Sequence, residues 1–459
     1  MGHRGRPPIP PGPYLVVGLA RSGVAAALAL RAAAPEAVIV ACDAAAPREA
    51  EASRERLAEA GVEIHLRTDG TQLLAAEQAP RALIKSPGVP LGAPAVAGAR
   101  ARGIEVIGEL ELGWRLLPNE FCAVTGTNGK TTTTELLGAI YRAAGLPAAV
   151  AGNVGTPVSA LAGDLAGEDV VICEASSFQL EDAVAFAPET AVFLNFAEDH
   201  RDRHASASEY LDAKLRLFAH QGPEDLAVLN AAESALRAKP EELGQARRVW
   251  FGAAPDCDLQ LEGGRLLWRG EPLLETSEVR LTGPHNLENA MAAAAAALVR
   301  GVEPAAVRAT LRDFGGLEHR LELVAEIGGV AFVNDSKATN VAAAAAALRS
   351  YEGGVHAILG GSLKGAGFEA LTPTVAERCT ACYLIGEAAE RLEQDLAGAG
   401  VALLRCGDLG RAVQEAASRA LPGATVLLAP ACASYDQYAD FEERGEHFRA
   451  LVAELERAS

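Results

Sequence analysis

The sequence predicts an α/β fold in three domains, the first and last of them Rossmann-like. Short apolar runs alternate with helical Ala/Leu patterns along the whole chain, the order that builds parallel sheets. Gly-rich turns follow apolar runs at Gly18–Gly23 and Gly126–Gly129, where strand passes into helix. At 459 residues the chain is too long for one core. The boundaries are expected at 1–108, 109–316 and 317–459, and no repeat of solenoid period is present.

Hydrophobic residues make up 49% and charged residues 22%, a globular composition. The net charge of -19 argues against nucleic acid or an anionic membrane surface as partner, since both need a basic face. It leaves nucleotides open, because a local pocket of Lys and Arg can hold them. No apolar run reaches membrane-spanning length, and Ala290–Val299 reads as buried helix. The opening MGHRGRPPIPPGP lacks the apolar core of a signal peptide and reads as a loose tail. A cytoplasmic location and a monomer are the expectations. A myristoylation signal at Gly2 would want Ser or Thr where Arg6 stands. The eight cysteines are scattered, as in a reducing compartment, and Cys379 with Cys382 form a lone CxxC without the second pair of a zinc site.

In the N-terminal part, Tyr14–Val17 reads as a strand leading into Gly18-Leu19-Ala20-Arg21-Ser22-Gly23 and a helix. Val38–Cys42 is a second strand, ending in Asp43, about twenty residues past the turn as in dinucleotide-binding folds. Ala20 stands where the middle glycine of that fingerprint belongs, and its methyl hinders close approach of a pyrophosphate. A nicotinamide oxidoreductase would rest on Gly18–Asp43 alone. Leu83–Lys85 is a strand running into Ser86-Pro87-Gly88, and Ile104–Ile107 is another.

The central part opens on Val124–Thr134, VTGTNGKTTTT, which has the form of a strand, a Gly-rich turn, Lys-Thr and a helix. Such a turn aims backbone N–H groups at one spot, and the helix N-terminus adds partial positive charge. Lys130 can reach β/γ-phosphate oxygens, and the Thr131 hydroxyl can ligate the Mg²⁺ that accompanies ATP. Val124 occupies the position of the first glycine of the usual motif, leaving the shorter form Gly126-Thr127-Asn128-Gly129-Lys130-Thr131. The domain is therefore P-loop ATPase-like, the bland alternative being a glycine turn with no ligand.

Glu174 follows the strand Val170–Cys173, so it either faces the ligand crevice and holds Mg²⁺ opposite Thr131 or is a surface acid before a turn. Asn195–His204, NFAEDHRDRH, follows the strand Ala191–Asn195 and is either metal-capable or a solvated charged loop. Lys214 lies at the edge of the apolar face of a helix over Glu209–Phe218. It reads first as a snorkelling surface lysine, and otherwise as a desolvated, reactive amine. Val249–Thr282 predicts a β-rich insert, and Leu287–Leu298 an Ala-rich helix capped by Asn286, with Asn289 one turn on.

The C-terminal part follows Glu318-His319-Arg320, whose Arg suits a phosphate. Strands are expected at Val330–Asn334, His356–Leu359, Ala381–Ile385 and Thr425–Leu428. Polar loops follow three of them: Asn334-Asp335-Ser336-Lys337-Ala338-Thr339-Asn340, Gly360-Gly361-Ser362-Leu363-Lys364, and Pro430 to Asp436. In a parallel sheet these ends share one edge, which suggests a site for a small anionic substrate.

Together and in this order, the motifs resemble the Mur ligases, from about Tyr14 to about Phe448. The short phosphate loop is shared with the folylpolyglutamate synthetases, which usually lack a separate N-terminal domain of this kind. NDSKATN and ACASYDQYADFEERG are similar to the D-glutamate-adding members of the Mur family.

The resemblance implies ATP-dependent ligation of D-glutamate to UDP-N-acetylmuramoyl-L-alanine through an acyl phosphate, with two Mg²⁺ ions. It implies phosphate binding by Gly126–Thr132, with Thr132 the last residue of that loop. One Mg²⁺ would lie on Thr131 and Glu174, and a second on His200 and a carbamylated Lys214. ATP contacts would come from Asn286, Asn289, Arg320 and Asp335. A D-glutamate pocket would be lined by Lys337, Thr339, Lys364, Ser434, Tyr435 and Phe441. Arg21, Ser22, Asp43, Ser86, Gly88 and Asn153 match positions near the UDP-sugar. Two residues depart from the family pattern: Ala20 replaces a more common glycine, and Tyr435 stands where some relatives have Leu.

Overall fold

The computed structural model describes residues 5–75, 79–199, 203–281, 283–316, 318–363 and 367–458. The chain divides into two compact units, one of residues up to 275 together with 289–310, the other of 276–288 together with 311 onward.

The first unit holds two sheets. The smaller is wholly parallel, in the order Val62–Leu66, Ile39–Asp43, Tyr14–Val17, Ala82–Lys85, Glu105–Gly108. Both faces are covered, as parallel strands require. Tyr14 and Val16 pack in one apolar cluster with Leu30 and Ile84, while Leu15 and Val17 pack in another with Leu83 and Val96. Strand order reverses between Tyr14–Val17 and Ala82–Lys85, which places a ligand crevice at their C-terminal ends. The helix Arg21–Ala33 packs close there because Gly23 has no side chain; a Cβ on it would lie 1.7 Å from the Gly18 carbonyl oxygen.

The larger sheet has nine strands. Arg247–Gly252, Leu226–Asn230, Thr190–Phe193, Phe121–Thr125, Val170–Glu174 and Ala148–Gly152 run parallel in that order. Leu259–Glu262, Arg265–Trp268 and Glu271–Glu275 extend it beyond Arg247–Gly252, the last two antiparallel. They form the expected β-rich insert. The core centres on Phe121, Phe193 and Phe218, with Trp114 edge-on to Phe186 at 5.7 Å. The N-terminal segment is not a loose tail from Gly5 onward. Arg6 lies over the rings of Trp114 and Phe121 and donates to the carbonyls of Trp114, Leu117 and Asn119, which satisfies the open end of the helix Glu109–Leu116.

The second unit is built on six strands in the order Glu322–Ile327, Val330–Asn334, Thr425–Leu428, Val355–Gly360, Cys379–Ile385, Ala402–Gly407. All pairs are parallel except the first, an antiparallel edge that alternation of strand and helix did not predict. Ala357 and Leu359 face one cluster and Ile358 the other, so this sheet too is covered on both sides. Cys379 and Cys382 are buried in the first of these clusters. No helix among the described residues is long and apolar enough to cross a membrane.

Candidate active site

The strand Phe121–Thr125 is buried throughout and delivers the Gly126–Gly129 turn to the head of the helix Lys130–Ala143. Gly129 has φ +85°, a left-handed conformation in which glycine is the default residue. A Cβ there would fall 2.0 Å from Asn289 Oδ1, so Asn289 packs directly on the loop backbone. Lys130 folds back over the turn and donates to the carbonyls of Gly126 and Thr127, both at 2.9 Å. Thr131 Oγ1 donates to Glu174 Oε2 at 2.7 Å, and Asn153 Nδ2 donates to Glu174 Oε1 at 3.1 Å. Glu174 is buried, so the surface-acid alternative falls. The hydroxyl of Thr132, beside them, has no hydrogen-bond partner among the described residues.

Lys214 is not a surface lysine. It lies on the helix Ala207–Leu215 with 1% exposure, and its Nζ donates to the same Gly126 carbonyl at 2.7 Å, over the ring of Tyr210. Burial, then the nearby Lys130 ammonium, push its pKa well below the usual lysine value against the pull of Asp199 and Glu174. A lysine 88 positions from its acceptor is thus brought to the phosphate loop. Asn195 braces the loop from the other side: its backbone carbonyl accepts from Thr127 N–H, its Oδ1 from Asn128 N–H at 2.9 Å, and its Nδ2 donates to Asn128 O at 3.1 Å. The sequence left Asn195 in a stretch read either as metal-capable or as a solvated charged loop; its structural part is this clamp. His200 lies outside the described residues.

At the crevice of the smaller sheet, Asp43 accepts backbone N–H groups of Leu19 and Ala45, each at 2.7 Å, so its carboxylate shapes the Gly18 turn. Ser86 is buried and donates from Oγ to Gly18 O at 2.8 Å. Arg21, Gly88 and Asn153 are exposed, and Ser22 is half-buried.

In the second unit, the loops after three strands are held together by Arg444, which is 1% exposed. Its guanidinium donates to Ser336 Oγ and O at 2.9 and 2.8 Å, to Cys432 O at 3.2 Å, to Ala433 O at 3.3 Å and to Gly360 O at 3.5 Å. Lys337 sits over the Phe441 ring, Thr339 is half-buried, and Ser434 is buried. Tyr435 is exposed, and Lys364 lies outside the described residues. Asp335 is buried and accepts from Leu321 N–H at 3.3 Å. Burial raises its pKa to about 7, against the opposing effect of Arg320. Asn286 is buried inside the first turn of a helix that starts at Pro284, so it is not the cap the sequence suggested.

The model of the Mur ligase middle domain matches residues 124–297, and that of the Mur ligase glutamate ligase domain matches 319–432. The UDP-N-acetylmuramoylalanine–D-glutamate ligase of Acidobacterium capsulatum is 43% identical over 449 residues, 95% of each chain. The protein of the same name from Pelotomaculum thermopropionicum is 39% identical over 450 residues, 96% of this chain and 98% of its own. The chain belongs to the Mur ligase family. The three-domain Mur ligase architecture also describes its fold: the crystal structure of MurF ligase from Thermotoga maritima in complex with ADP superposes with a TM-score of 0.59, covering 92% of this chain and 96% of that one at 16% identity.

Within this Mur ligase, the structure brings the loop, Glu174 and Lys214 together and gathers the three polar strand ends on Arg444, to which sequence reasoning gave no role. Its signal was its place inside the stretch ACASYDQYADFEERG.

Proposed function

We infer that the chain joins D-glutamate to UDP-N-acetylmuramoyl-L-alanine, converting ATP to ADP and phosphate, in the synthesis of peptidoglycan precursor. The names of its relatives support the substrates. The observation that carries the chemistry is the meeting of Lys130 and Lys214 on one loop carbonyl, beside the buried Thr131–Glu174 pair.

The acceptor's alanyl carboxylate attacks the γ-phosphorus of ATP, ADP leaves, and an acyl phosphate forms. The amine of D-glutamate then adds to the acyl carbon, and collapse of the tetrahedral adduct expels phosphate. No protein nucleophile is required. Lys130 offsets negative charge gathering on the transferred phosphoryl group, and the loop N–H groups orient it. Asn289 holds the loop from behind, and Asn286, Arg320 and Asp335 are assigned to the nucleotide. Residues 1–108 take the UDP-sugar through Arg21, Ser22, Asp43, Ser86 and Gly88, with Asn153 from the central domain 109–316. The domain 317–459 takes D-glutamate through Lys337, Thr339, Ser434, Tyr435 and Phe441, with Lys364.

Thr131 and Glu174 fit a hard divalent cation, being buried oxygen donors already 2.7 Å apart. Mg²⁺ there would neutralise phosphate charge. The neutral Lys214 amine is the form that adds to CO₂, with loss of one proton, and the resulting carbamate gives an anionic oxygen ligand. It would replace repulsion between Lys130 and Lys214 by attraction, and His200 is the expected companion ligand. The use of ATP and a nucleotide-activated sugar supports a cytoplasmic location, and the reading needs no second copy of the chain.

The test is phosphate release from ATP with UDP-N-acetylmuramoyl-L-alanine, comparing D-glutamate, L-glutamate and no amino acid. Release that requires the sugar nucleotide and D-glutamate is expected. Release without either, or only with a folate and L-glutamate, would refute the assignment.

A further inference from the structure

We propose that Lys85 is a positioning residue for recognition of the sugar nucleotide: paired with Asp182, it fixes the Ser86–Val89 turn to the part of the first unit that carries the phosphate loop. The proposal rests on the assignment of Ser86 and Gly88 to the UDP-sugar.

Lys85 ends the strand Ala82–Lys85, at the point where strand order reverses. It is fully buried, which is rare for lysine without a partner. Its ammonium donates to Val89 O at 2.7 Å and Ser86 O at 3.3 Å and forms an ion pair with Asp182 Oδ2 at 2.7 Å. Asp182 is equally buried, and neither of its carboxylate oxygens has a hydrogen-bond partner among the described residues, so the ion pair to Lys85 is its main compensation. A second cation reaches the same turn. Arg203 Nη2 donates to Val89 O at 3.1 Å, Pro87 O at 3.4 Å and Glu181 Oε2 at 3.2 Å, and its guanidinium stacks on Phe178.

The carbonyls of Ser86, Pro87 and Val89 are thus all drawn to cations on one side. On the other, Ser86 is tied to the first strand by its N–H to Val17 O and its hydroxyl to Gly18 O. Gly88 remains exposed, with open space where a Cβ would stand. Lys85 and Arg203 therefore set the pose of a turn whose free face is left to ligand, while neither is on that face. Asp182 and Glu181 follow the short helix Ser177–Leu180, three residues past Glu174, so the turn is referenced to the same strand end as the phosphate site.

The test compares wild type with K85M/D182N, which removes both charges and leaves no buried carboxylate unpaired. Calorimetric titration with UDP-N-acetylmuramoyl-L-alanine is run beside steady-state kinetics and thermal melting. The double variant is expected to bind the sugar nucleotide about tenfold or more weakly and to raise its KM alike, with the KM for ATP and saturated kcat within about threefold of wild type. A merely structural pair would lower the melting temperature and shift the parameters of both substrates together. Binding of the sugar nucleotide as tight as wild type overturns the proposal alone. Wild-type protein that binds no uridine nucleotide overturns it together with the assignment beneath it. Where the double variant does not fold, R203Q decides: a selective rise in sugar-nucleotide KM supports the proposal, and unchanged KM overturns it.

Discussion

Gly129→Ala is the sharpest perturbation of the phosphate loop. Two costs can be worked from the geometry. Holding alanine at φ +85° costs about 1–2 kcal/mol relative to glycine. The added methyl would lie 2.0 Å from Asn289 Oδ1 and 2.8 Å from its Cγ, so the buried amide must leave its place. Overpacking of this kind costs about 1–3 kcal/mol. If the sum is relieved by deforming the loop, ATP recognition loses about 2–5 kcal/mol, or roughly 30- to several thousand-fold in kcat/KM. The assay is ligation kinetics against ATP concentration, paired with thermal melting. The contact term can be separated from the backbone term. Gly129→Ala/Asn289→Ala removes the contact, so its stability should exceed the sum of the single effects by about 1–3 kcal/mol. Wild-type ATP kinetics and melting in Gly129→Ala would refute the reasoning, because neither strain nor contact would then exist.

Lys130→Ala should retain the fold by circular dichroism and keep no more than about 1% of ligation, since the charge-offsetting ammonium is lost; turnover above a few per cent refutes that role. Lys214→Ala should be nearly inactive and partly rescued by added short carboxylates that stand in for a carbamate, and wild-type turnover would remove Lys214 from the chemistry. Asp335→Asn should abolish ligation yet stabilise the second unit at pH 8. With a folded pKa of about 7 against 3.8 unfolded, the protonated form is favoured by folding; its contribution is complete below about pH 4 and is lost as pH rises through about 7. The variant's advantage should grow over that window to at most about 4 kcal/mol, read as hydrogen-exchange protection of the strand Val330–Asn334, and a difference independent of pH refutes it. Arg444→Met leaves buried carbonyls of three loops without their donor, at about 1–3 kcal/mol for each unsatisfied group; loss of exchange protection at Ser336, Ser362 and Ser434 together is expected, and loss at one loop alone would deny the shared anchor.

Most of the fold was legible because its signals are local. Apolar runs of strand length, Gly turns and Ala-rich helical stretches each report on a few neighbours, and the strands they named fall within a residue or two of those observed, while Val62–Leu66, Ala148–Gly152, Leu226–Asn230, Glu322–Ile327 and Ala402–Gly407 were not read. What failed was non-local. Lys214 sits at the edge of its helix's apolar face, a position that usually belongs to a surface lysine. The Gly126 carbonyl, in a turn 88 positions away, meets its Nζ there. Arg444 has its acceptors in three separate loops, none within helical spacing, so nothing in its own neighbourhood foretold its burial. Asp43 was found as an acid at the expected offset, yet its oxygens shape the Gly18 turn through Leu19 and Ala45, a detail that periodicity does not carry. The Arg6 anchor was hidden for a like reason: a Pro-rich, polar segment reads as loose until a helix end and two aromatic rings are seen beneath it.

A chain of net charge -19 that must gather several anionic ligands presents an apparent contradiction. It resolves by distance and burial. At physiological salt, exposed charges are screened within about 8 Å, so the acidic surface contributes little inside a crevice lined by buried strand ends. What the ligands meet is local: Lys130 at the loop, with Lys214 packed behind the same carbonyl. Two ammonium groups so close oppose each other, and burial already pushes Lys214 toward neutrality. The loop therefore presents one firm positive charge and one amine whose sign is open to chemistry. Neutral, it leaves Lys130 as the sole cation on that carbonyl; carboxylated, it becomes an anionic oxygen donor beside Thr131 and Glu174, suited to a divalent cation that itself neutralises phosphate. On the proposed reading, either state suits a divalent cation at Thr131 and Glu174 better than a second fixed ammonium, which would repel it. The burial of Lys214, costly as a charge, is thus intelligible as the means of keeping it from being one.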